Sequence, residues 1–199
     1  MKKTMRWIVP AAALVLVIAV AAIFYPRLAV RYTPAQQPQE TEASAAPSAA
    51  AAAETDTPDV LAADFEVVNA EGSAVHLSDF TGGKPVVVNF WATWCPPCRS
   101  ELPAFDTLNA EYGDRVTFMM VNLTDGERDT ATGVKAFVAA EGYSFPVYYD
   151  TAASAANAYE IYSIPVTVFI RADGTLARQQ IGAMQESQLR AYLDDLLGE

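Results

Sequence analysis

The chain contains only two cysteines, Cys95 and Cys98, and two prolines separate them. The residues just before them, 86–91, are mostly β-branched or aromatic, a pattern that predicts a buried strand. The residues just after them place apolar side chains at helical spacing, namely Leu102, Phe105, Leu108 and Tyr112. Cys95 is therefore expected at a helix N-terminus, where free backbone N–H groups and the helix dipole stabilise a thiolate. Because the thiolate is the reactive form of cysteine, this spacing predicts a redox-active dithiol.

Three other uses of a cysteine pair fit the sequence less well. A structural disulfide across two residues would add little stability, because the gain in stability grows with the length of the closed loop. A structural zinc site needs four ligands, and the chain offers only one histidine, His76, besides the two cysteines. Haem attachment requires a histidine directly after the second cysteine, and Arg99 stands there.

Residues 89–103 read Asn-Phe-Trp-Ala-Thr-Trp-Cys-Pro-Pro-Cys-Arg-Ser-Glu-Leu-Pro. This stretch resembles the ResA/TlpA branch of the thioredoxin-like proteins, of the AhpC/TSA redoxin family, and the resemblance extends over about residues 59–199. Thioredoxin has a buried Asp six residues before its first cysteine, where this chain has Asn89. ResA-like proteins instead have a Glu three residues after the second cysteine, and Glu101 matches that position.

The resemblance implies a thioredoxin-like α/β fold, with a central mixed sheet flanked by helices, N-terminal extension strands and an insertion typical of the branch. The residue pattern predicts strands at 65–68, 86–91, 116–123, 146–149, 166–170 and 176–181, with a further short strand or turn at 75–80. It predicts helices after Cys95, around 134–138, at 152–159 and at 189–197. Asp173-Gly174, between the last two strands, is a strong hairpin signal.

The N-terminal part of the chain has the pattern of a membrane signal-anchor. Residues 7–25 carry no charge and approach the roughly 20 apolar residues that cross a bilayer. The basic residues within 1–6 place the N-terminus in the cytoplasm and the rest of the protein outside it. The sequence therefore predicts a single-pass protein of the cell membrane with an extracytoplasmic catalytic domain. A cleaved signal peptide is the alternative, because Ala19-Val20-Ala21 resembles a cleavage site.

Residues 26–58 are predicted to form a disordered linker and residues 59–199 a single domain. The linker is rich in Ala, Pro, Thr and Glu and has too few large apolar side chains to offset the entropy of ordering. The domain contains 20 Asp and Glu residues against 8 Lys and Arg residues. This acidity argues against nucleic acid or anionic lipid as a partner of the domain.

The dipeptide Ile164-Pro165 precedes the strand predicted at 166–170. In thioredoxin-like proteins an apolar residue and a cis-proline stand at this place and face the dithiol, so the resemblance implies a cis bond here. It also implies that the backbone of Ile164 pairs with an extended substrate segment. Trp94 and Pro96 flank Cys95 in the sequence and are expected to form an apolar rim around its sulfur.

Thiol chemistry then suggests a mechanism. Cys95 attacks a disulfide of an oxidised client protein, and Cys98 resolves the mixed disulfide. Glu101, one helical turn beyond Cys98, is the candidate proton acceptor, a role that rests mainly on the resemblance. The dithiol serves as the redox group, so neither a cofactor nor a metal is expected. The resemblance implies a membrane electron donor of the CcdA/DsbD type. It implies clients in apocytochrome c maturation or in the support of methionine sulfoxide reductases.

Pro96 and Pro97 indicate the direction of electron flow. Neither residue has an N–H, so two groups that would stabilise the Cys95 thiolate are missing, which favours a reductase over a disulfide-forming oxidase. The alternatives are that oxidase and a soft-metal or copper chaperone on the same fold. A peroxidase of the peroxiredoxin type is disfavoured, because the residues before Cys95 lack the Pro-x-x-x-Thr-x-x-Cys pattern.

Overall fold

The computed structural model describes residues 60–199 of the 199-residue chain. The predicted cytoplasmic N-terminus at 1–6, the signal-anchor at 7–25 and the linker at 26–58 lie outside the described residues. Within residues 60–199, no helix is both long enough and apolar enough to cross a membrane.

One mixed sheet of seven strands runs through the described part of the chain. The strands are β1 (Glu66–Val68), β2 (Ala74–His76), β3 (Val86–Trp91), β4 (Thr117–Asn122), β5 (Val147–Tyr149), β6 (Val166–Ile170) and β7 (Leu176–Ile181). Their order across the sheet is β2-β1-β5-β4-β3-β6-β7. Strand β3 pairs in parallel with β4 and antiparallel with β6, which makes it a central strand of the mixed sheet.

Every residue of β3 is buried, which explains its nearly continuous apolar sequence. Successive side chains of a strand point to opposite faces of the sheet. Val87 and Trp91 accordingly join one hydrophobic cluster, and Val86, Val88 and Phe90 join the other. Asn89 lies between Val87 and Trp91 and is thus placed on the same face as they are. A polar side chain at this point of the interior needs specific partners.

The helices are α1 (Pro96–Tyr112), α2 (Ala131–Glu141), α3 (Ser154–Ala158) and α4 (Glu186–Leu197). The face of α1 predicted from its apolar spacing is buried as expected. It packs in the same cluster as Val87 and Trp91 of β3, and α4 contributes Leu189 and Leu193 to that cluster. Helix α1 is therefore held against the central strand that precedes it.

The predicted elements agree with the structure to within a few residues at their ends. The strands at 86–91, 166–170 and 176–181 have the predicted bounds, and the predicted helix at 152–159 is shorter, at Ser154–Ala158. The segment at 75–80 is the end of β2 followed by a turn of 3-10 helix, Leu77–Asp79. Gly174 in the final hairpin has φ of 88°, a conformation that glycine adopts without strain.

Candidate active site

The two cysteines lie where strand β3 ends and helix α1 begins. Cys95 caps the N-terminus of α1, and prolines fill the first positions of the helix. Proline suits these positions because the first N–H groups of a helix have no partner within it. A disulfide joins Cys95 to Cys98. Cys98 is completely buried, whereas 4% of the surface of Cys95 is exposed, so Cys95 is the cysteine that a partner can reach.

A groove of about 420 Å³ opens beside Cys95. Its walls are mostly apolar and come from the start of α1, the end of β4 and the segment before β6: Trp94, Cys95, Pro96, Pro97, Leu123, Ile161, Tyr162, Ser163 and Ile164. The Ile164–Pro165 bond is cis, as predicted. The carbonyl oxygen of Ile164 lies 3.8 Å from Cys95 Sγ, and Pro165 is buried directly after it. The structure therefore brings Trp94, Pro96 and Ile164 together around the sulfur.

Tyr162 also lines the groove, although no motif in the sequence marks it as a site residue. Its side chain is 91% exposed, and Trp94, which lines the same groove, is 40% exposed. Tyrosine and tryptophan combine an apolar ring with a polar group and are enriched at protein interfaces. Exposure of this kind depends on the path of the chain before β6, which local sequence does not determine.

Glu101 is buried in the protein interior, with only 1% of its surface exposed. One carboxylate oxygen, Oε1, accepts a hydrogen bond from Asn89 Nδ2 at 2.8 Å. The other, Oε2, accepts one from the backbone N–H of Met184 at 2.9 Å. Burial raises the pKa of Glu101 to about 7, because the charged carboxylate loses its water, and the two hydrogen bonds oppose that rise.

Asn89 links Glu101 to the sheet. Besides its bond to Glu101, its Nδ2 donates to Thr167 Oγ1 at 3.0 Å, and Thr167 is its direct neighbour across the β3–β6 pairing. Asn89 Oδ1 is buried and has no hydrogen-bond partner within residues 60–199. Sequence reasoning identified Asn89 only by its position. It missed the network, because Thr167 and Met184 lie 78 and 83 residues from their partners.

Asp129 fixes the residue that precedes Trp94. Its buried carboxylate accepts from the backbone N–H of Thr93 at 2.9 Å, from the Thr93 hydroxyl, and from Asn122 Nδ2 at 2.8 Å. These bonds tie the loop after β4 to the segment that leads into the cysteines. The sequence indicated only a polar, acidic loop here, because the link to Thr93 spans 36 residues.

Arg128, in the same loop, contacts Trp94 itself. Its guanidinium carbon lies 3.7 Å from the centre of the Trp94 ring, a cation–π contact. Asp125 orients Arg128 by an ion pair at 3.0 Å and accepts the backbone N–H groups of residues 127–129. These backbone hydrogen bonds lower the pKa of Asp125 to about 2. Trp94 is therefore positioned by contacts that the motif itself does not contain.

His76 lies on strand β2, at the edge of the sheet. Its ring nitrogens are 3.6 Å from Asp64 Oδ2 and 3.4 Å from Glu66 Oε2, and about half of its side chain is exposed. Among residues 60–199, no group of three or more His, Cys, Asp or Glu side chains is arranged to hold a metal ion.

Comparisons with known proteins agree with this geometry. Residues 58–179 match the AhpC/TSA family. The chain is 35% identical over 133 residues to thioredoxin-like protein YneN of Bacillus subtilis strain 168, which covers 67% of this chain and 76% of that protein. It is 32% identical over 134 residues to thiol-disulfide oxidoreductase ResA of Halalkalibacterium halodurans, which covers 67% of this chain and 73% of that protein. The crystal structure of StoA from Bacillus subtilis matches with a TM-score of 0.58 and 29% identity, covering 68% of this chain and 99% of StoA.

Proposed function

This chain belongs to the AhpC/TSA family and is a thiol–disulfide oxidoreductase with a thioredoxin-like fold, and from that premise we propose that it reduces disulfides of partner proteins outside the cytoplasm. The family match and the similarity to ResA confirm the resemblance described from the sequence. The similarity to StoA confirms the predicted thioredoxin-like fold class for the described residues. The relatives' activity makes proteins its substrates. The direction of electron flow, the residue roles, the clients and the location are the proposal.

The observation that supports reduction is the shortage of hydrogen-bond donors at Cys95 Sγ. Within residues 60–199, the donor found for this sulfur is the backbone N–H of Cys98, at 3.2 Å. Pro96 and Pro97 have no N–H to offer, and the nearby Ile164 carbonyl is an acceptor, which stabilises a thiol rather than a thiolate. A weakly stabilised thiolate makes the reduced form less stable, and the dithiol then gives up its electrons more readily.

The exposures of the two sulfurs support the assignment of their roles. Cys95, at the groove, attacks a client disulfide as thiolate, forms a mixed disulfide and releases the other client sulfur as a thiol. Cys98, which is completely buried, then attacks Cys95 Sγ and releases the client. The dithiol loses two electrons and two protons, the client gains them, and Cys95 and Cys98 end in the disulfide seen here.

Glu101 is proposed to take the proton of Cys98. The two residues lie three positions apart on α1, so their side chains point from the same face of the helix. Both are buried, and water has little access to Cys98. A carboxyl group with a pKa of about 7 is ionised in a large fraction of molecules near neutral pH and can serve as a base there.

The groove is the proposed docking site for the client segment around its disulfide. Trp94, Pro96 and Ile164 line it beside Cys95, and the buried Pro165 follows Ile164 through the cis bond. An extended segment can pair with the backbone of Ile164 while its side chains contact the apolar walls.

The location and the partners are proposed from the N-terminal sequence and the resemblance. The apolar segment at 7–25 would anchor the chain and place the domain outside the cytoplasm. A membrane donor of the CcdA/DsbD type would reduce the disulfide again after each turnover. Apocytochrome c and the methionine sulfoxide reductases are the proposed client systems, and the dithiol serves as the redox group without a further cofactor.

The reduction potential of the Cys95–Cys98 pair tests the proposed direction. The full chain, kept in detergent, is equilibrated with dithiothreitol or glutathione buffers, and the reduced fraction is measured by thiol alkylation. We expect a potential near or below about −270 mV, the value of thioredoxin. A potential above about −200 mV would identify an acceptor of electrons that forms or shuffles disulfides, and it would overturn the proposal.

A further inference from the structure

Asn89 is buried, and only the nitrogen of its side-chain amide has hydrogen-bond partners among the described residues. Both of its N–H groups are used, one by Glu101 Oε1 at 2.8 Å and one by Thr167 Oγ1 at 3.0 Å. Its oxygen, Oδ1, is buried without a partner among residues 60–199. A buried acceptor without a donor costs free energy, so this arrangement calls for an explanation.

The pairing seen here suits an ionised Glu101. Each carboxylate oxygen accepts one N–H, from Asn89 and from the backbone of Met184. A protonated Glu101 has a different need, because its O–H requires an acceptor. Asn89 Oδ1 belongs to the same amide that already touches Glu101, and it is the acceptor left free by the present pairing.

We propose that Asn89 is a positioning residue that serves both protonation states of Glu101. Its N–H donates to the carboxylate, and its free oxygen accepts the O–H of the carboxylic acid. A tilt or turn of the amide exchanges the two contacts, and Thr167 Oγ1 can follow because a hydroxyl both donates and accepts. Glu101 can thus take up and release a proton in the protein interior while it stays hydrogen-bonded to Asn89. This inference rests on the proposed role of Glu101 as the base for Cys98.

The groups around this pair leave Asn89 as the main side-chain influence on Glu101. Helix α1 contributes the thiol of Cys98, one turn before Glu101, when the disulfide is open. Strand β6 contributes the Thr167 hydroxyl, and the segment before α4 contributes a backbone N–H. The other buried carboxyl groups of the described residues are Asp129 and Asp150, and each has its own donors.

The test measures the titration of Glu101 directly, through the ¹³C chemical shift of its carboxyl carbon in the oxidised full chain. Asn89→Leu is the informative variant, because leucine has nearly the same shape but neither donates nor accepts. It removes a charge-assisted bond from the carboxylate and a weaker neutral bond from the acid. We therefore expect the midpoint of titration to rise by about one pH unit. In the wild type, the amide resonances of Asn89 are expected to move with the same midpoint as Glu101.

One control variant separates this role from general damage to the core. Thr167→Val removes the other partner of Asn89 and is expected to shift the midpoint by less than half as much. A Glu101 midpoint that Asn89→Leu leaves unchanged, or amide resonances of Asn89 that stay fixed across the titration, would overturn the inference.

A kinetic experiment then connects the pair to catalysis. The reduced protein reacts with 5,5′-dithiobis(2-nitrobenzoate), and the second release of thionitrobenzoate reports attack of Cys98 on the mixed disulfide at Cys95. Asn89→Leu should raise the midpoint of this step's pH profile by the same amount, and it should have no further effect in a Glu101→Gln background. An effect that persists in that background refutes the positioning role. A profile that Glu101→Gln leaves unchanged refutes the proposed base, while the ¹³C titration still decides the pairing of Asn89 with Glu101.

Discussion

Burial of Glu101 predicts that the oxidised protein loses stability as the pH rises. In the unfolded chain the carboxyl group has its ordinary pKa of 4.5, and in the folded protein burial raises the pKa to about 7. Between these values the folded state binds more protons than the unfolded state, so the free energy of unfolding falls with increasing pH. The rise in pKa from 4.5 to about 7 corresponds to a loss of about 3 kcal/mol in the free energy of unfolding. This loss is absent below pH 4.5 and complete above pH 7.

Glu101→Gln removes this dependence, because glutamine does not titrate. Its fixed cost is separate: the Gln amide can accept only one of the two N–H groups that now face Glu101, from Asn89 and Met184. The informative quantity is therefore the difference in unfolding free energy between variant and wild type, followed with pH. We expect this difference to move by about 3 kcal/mol in favour of the variant between pH 4.5 and pH 8.

The assay is urea unfolding of the full chain at a fixed detergent concentration, with the disulfide intact so that no thiol titrates. Other shifted groups, such as Asp125 and Asp150, are present in both proteins, so their contributions cancel in the difference. Glu111→Gln is a control on the same helix, because the Glu111 side chain is about half exposed and forms an ion pair with Arg190. A difference curve for Glu101→Gln that stays flat within about 1 kcal/mol would refute the burial argument.

Two further predictions concern the cysteines and the loop that holds them. Cys98→Ala should accumulate a stable mixed disulfide with oxidised client protein, seen as a reducible adduct on electrophoresis, whereas Cys95→Ala should form none; equal adducts would contradict the assigned roles. Asp129→Ala should lower the free energy of unfolding by about 2–4 kcal/mol, because three hydrogen bonds to a buried carboxylate are lost. Arg128→Met removes the exposed cation–π contact with Trp94 and the exposed ion pair with Asp125, and it should cost about 1 kcal/mol in the same urea assay. Similar losses of unfolding free energy for the two variants would contradict the conclusion that Asp129, rather than Arg128, mainly holds the loop after β4 against Thr93.

The parts of the fold that the sequence predicted well carry strong local signals. Strand β3 has an almost unbroken apolar sequence, and the hairpin of β6 and β7 has Asp173-Gly174 at its turn. The burial of α1 follows from the spacing of its apolar residues. The pairing of β1 with β5 could not be predicted in this way. The two strands pair through one residue pair, Val68 and Tyr149, and no local sequence pattern indicates that contact. The order of the edge strands therefore required the structure.

The candidate site divides in the same way. Cys95, Cys98 and the Ile164–Pro165 bond could be named from motifs and resemblance, because these are contiguous stretches of sequence. The partners of Glu101 could not, because a backbone N–H and a strand neighbour from distant parts of the chain carry no residue signature. The same holds for Asp129, whose only sequence feature is its place in an acidic loop.

In the proposed mechanism, the position of Glu101 on helix α1 keeps its distance from the Cys98 thiol nearly constant. Glu101 and Cys98 lie on one helix, so the separation between the base and the thiol is set by helix geometry and survives a small shift of α1 when the disulfide opens. An acid on β3, at position 89, would have to reach the thiol across the contact between helix and sheet, and any such shift would change the distance. Asn89 and Glu101 therefore form a coupled pair. Without Glu101, Asn89 would lose the acceptor of one N–H, and without Asn89, Glu101 would retain only the N–H of Met184.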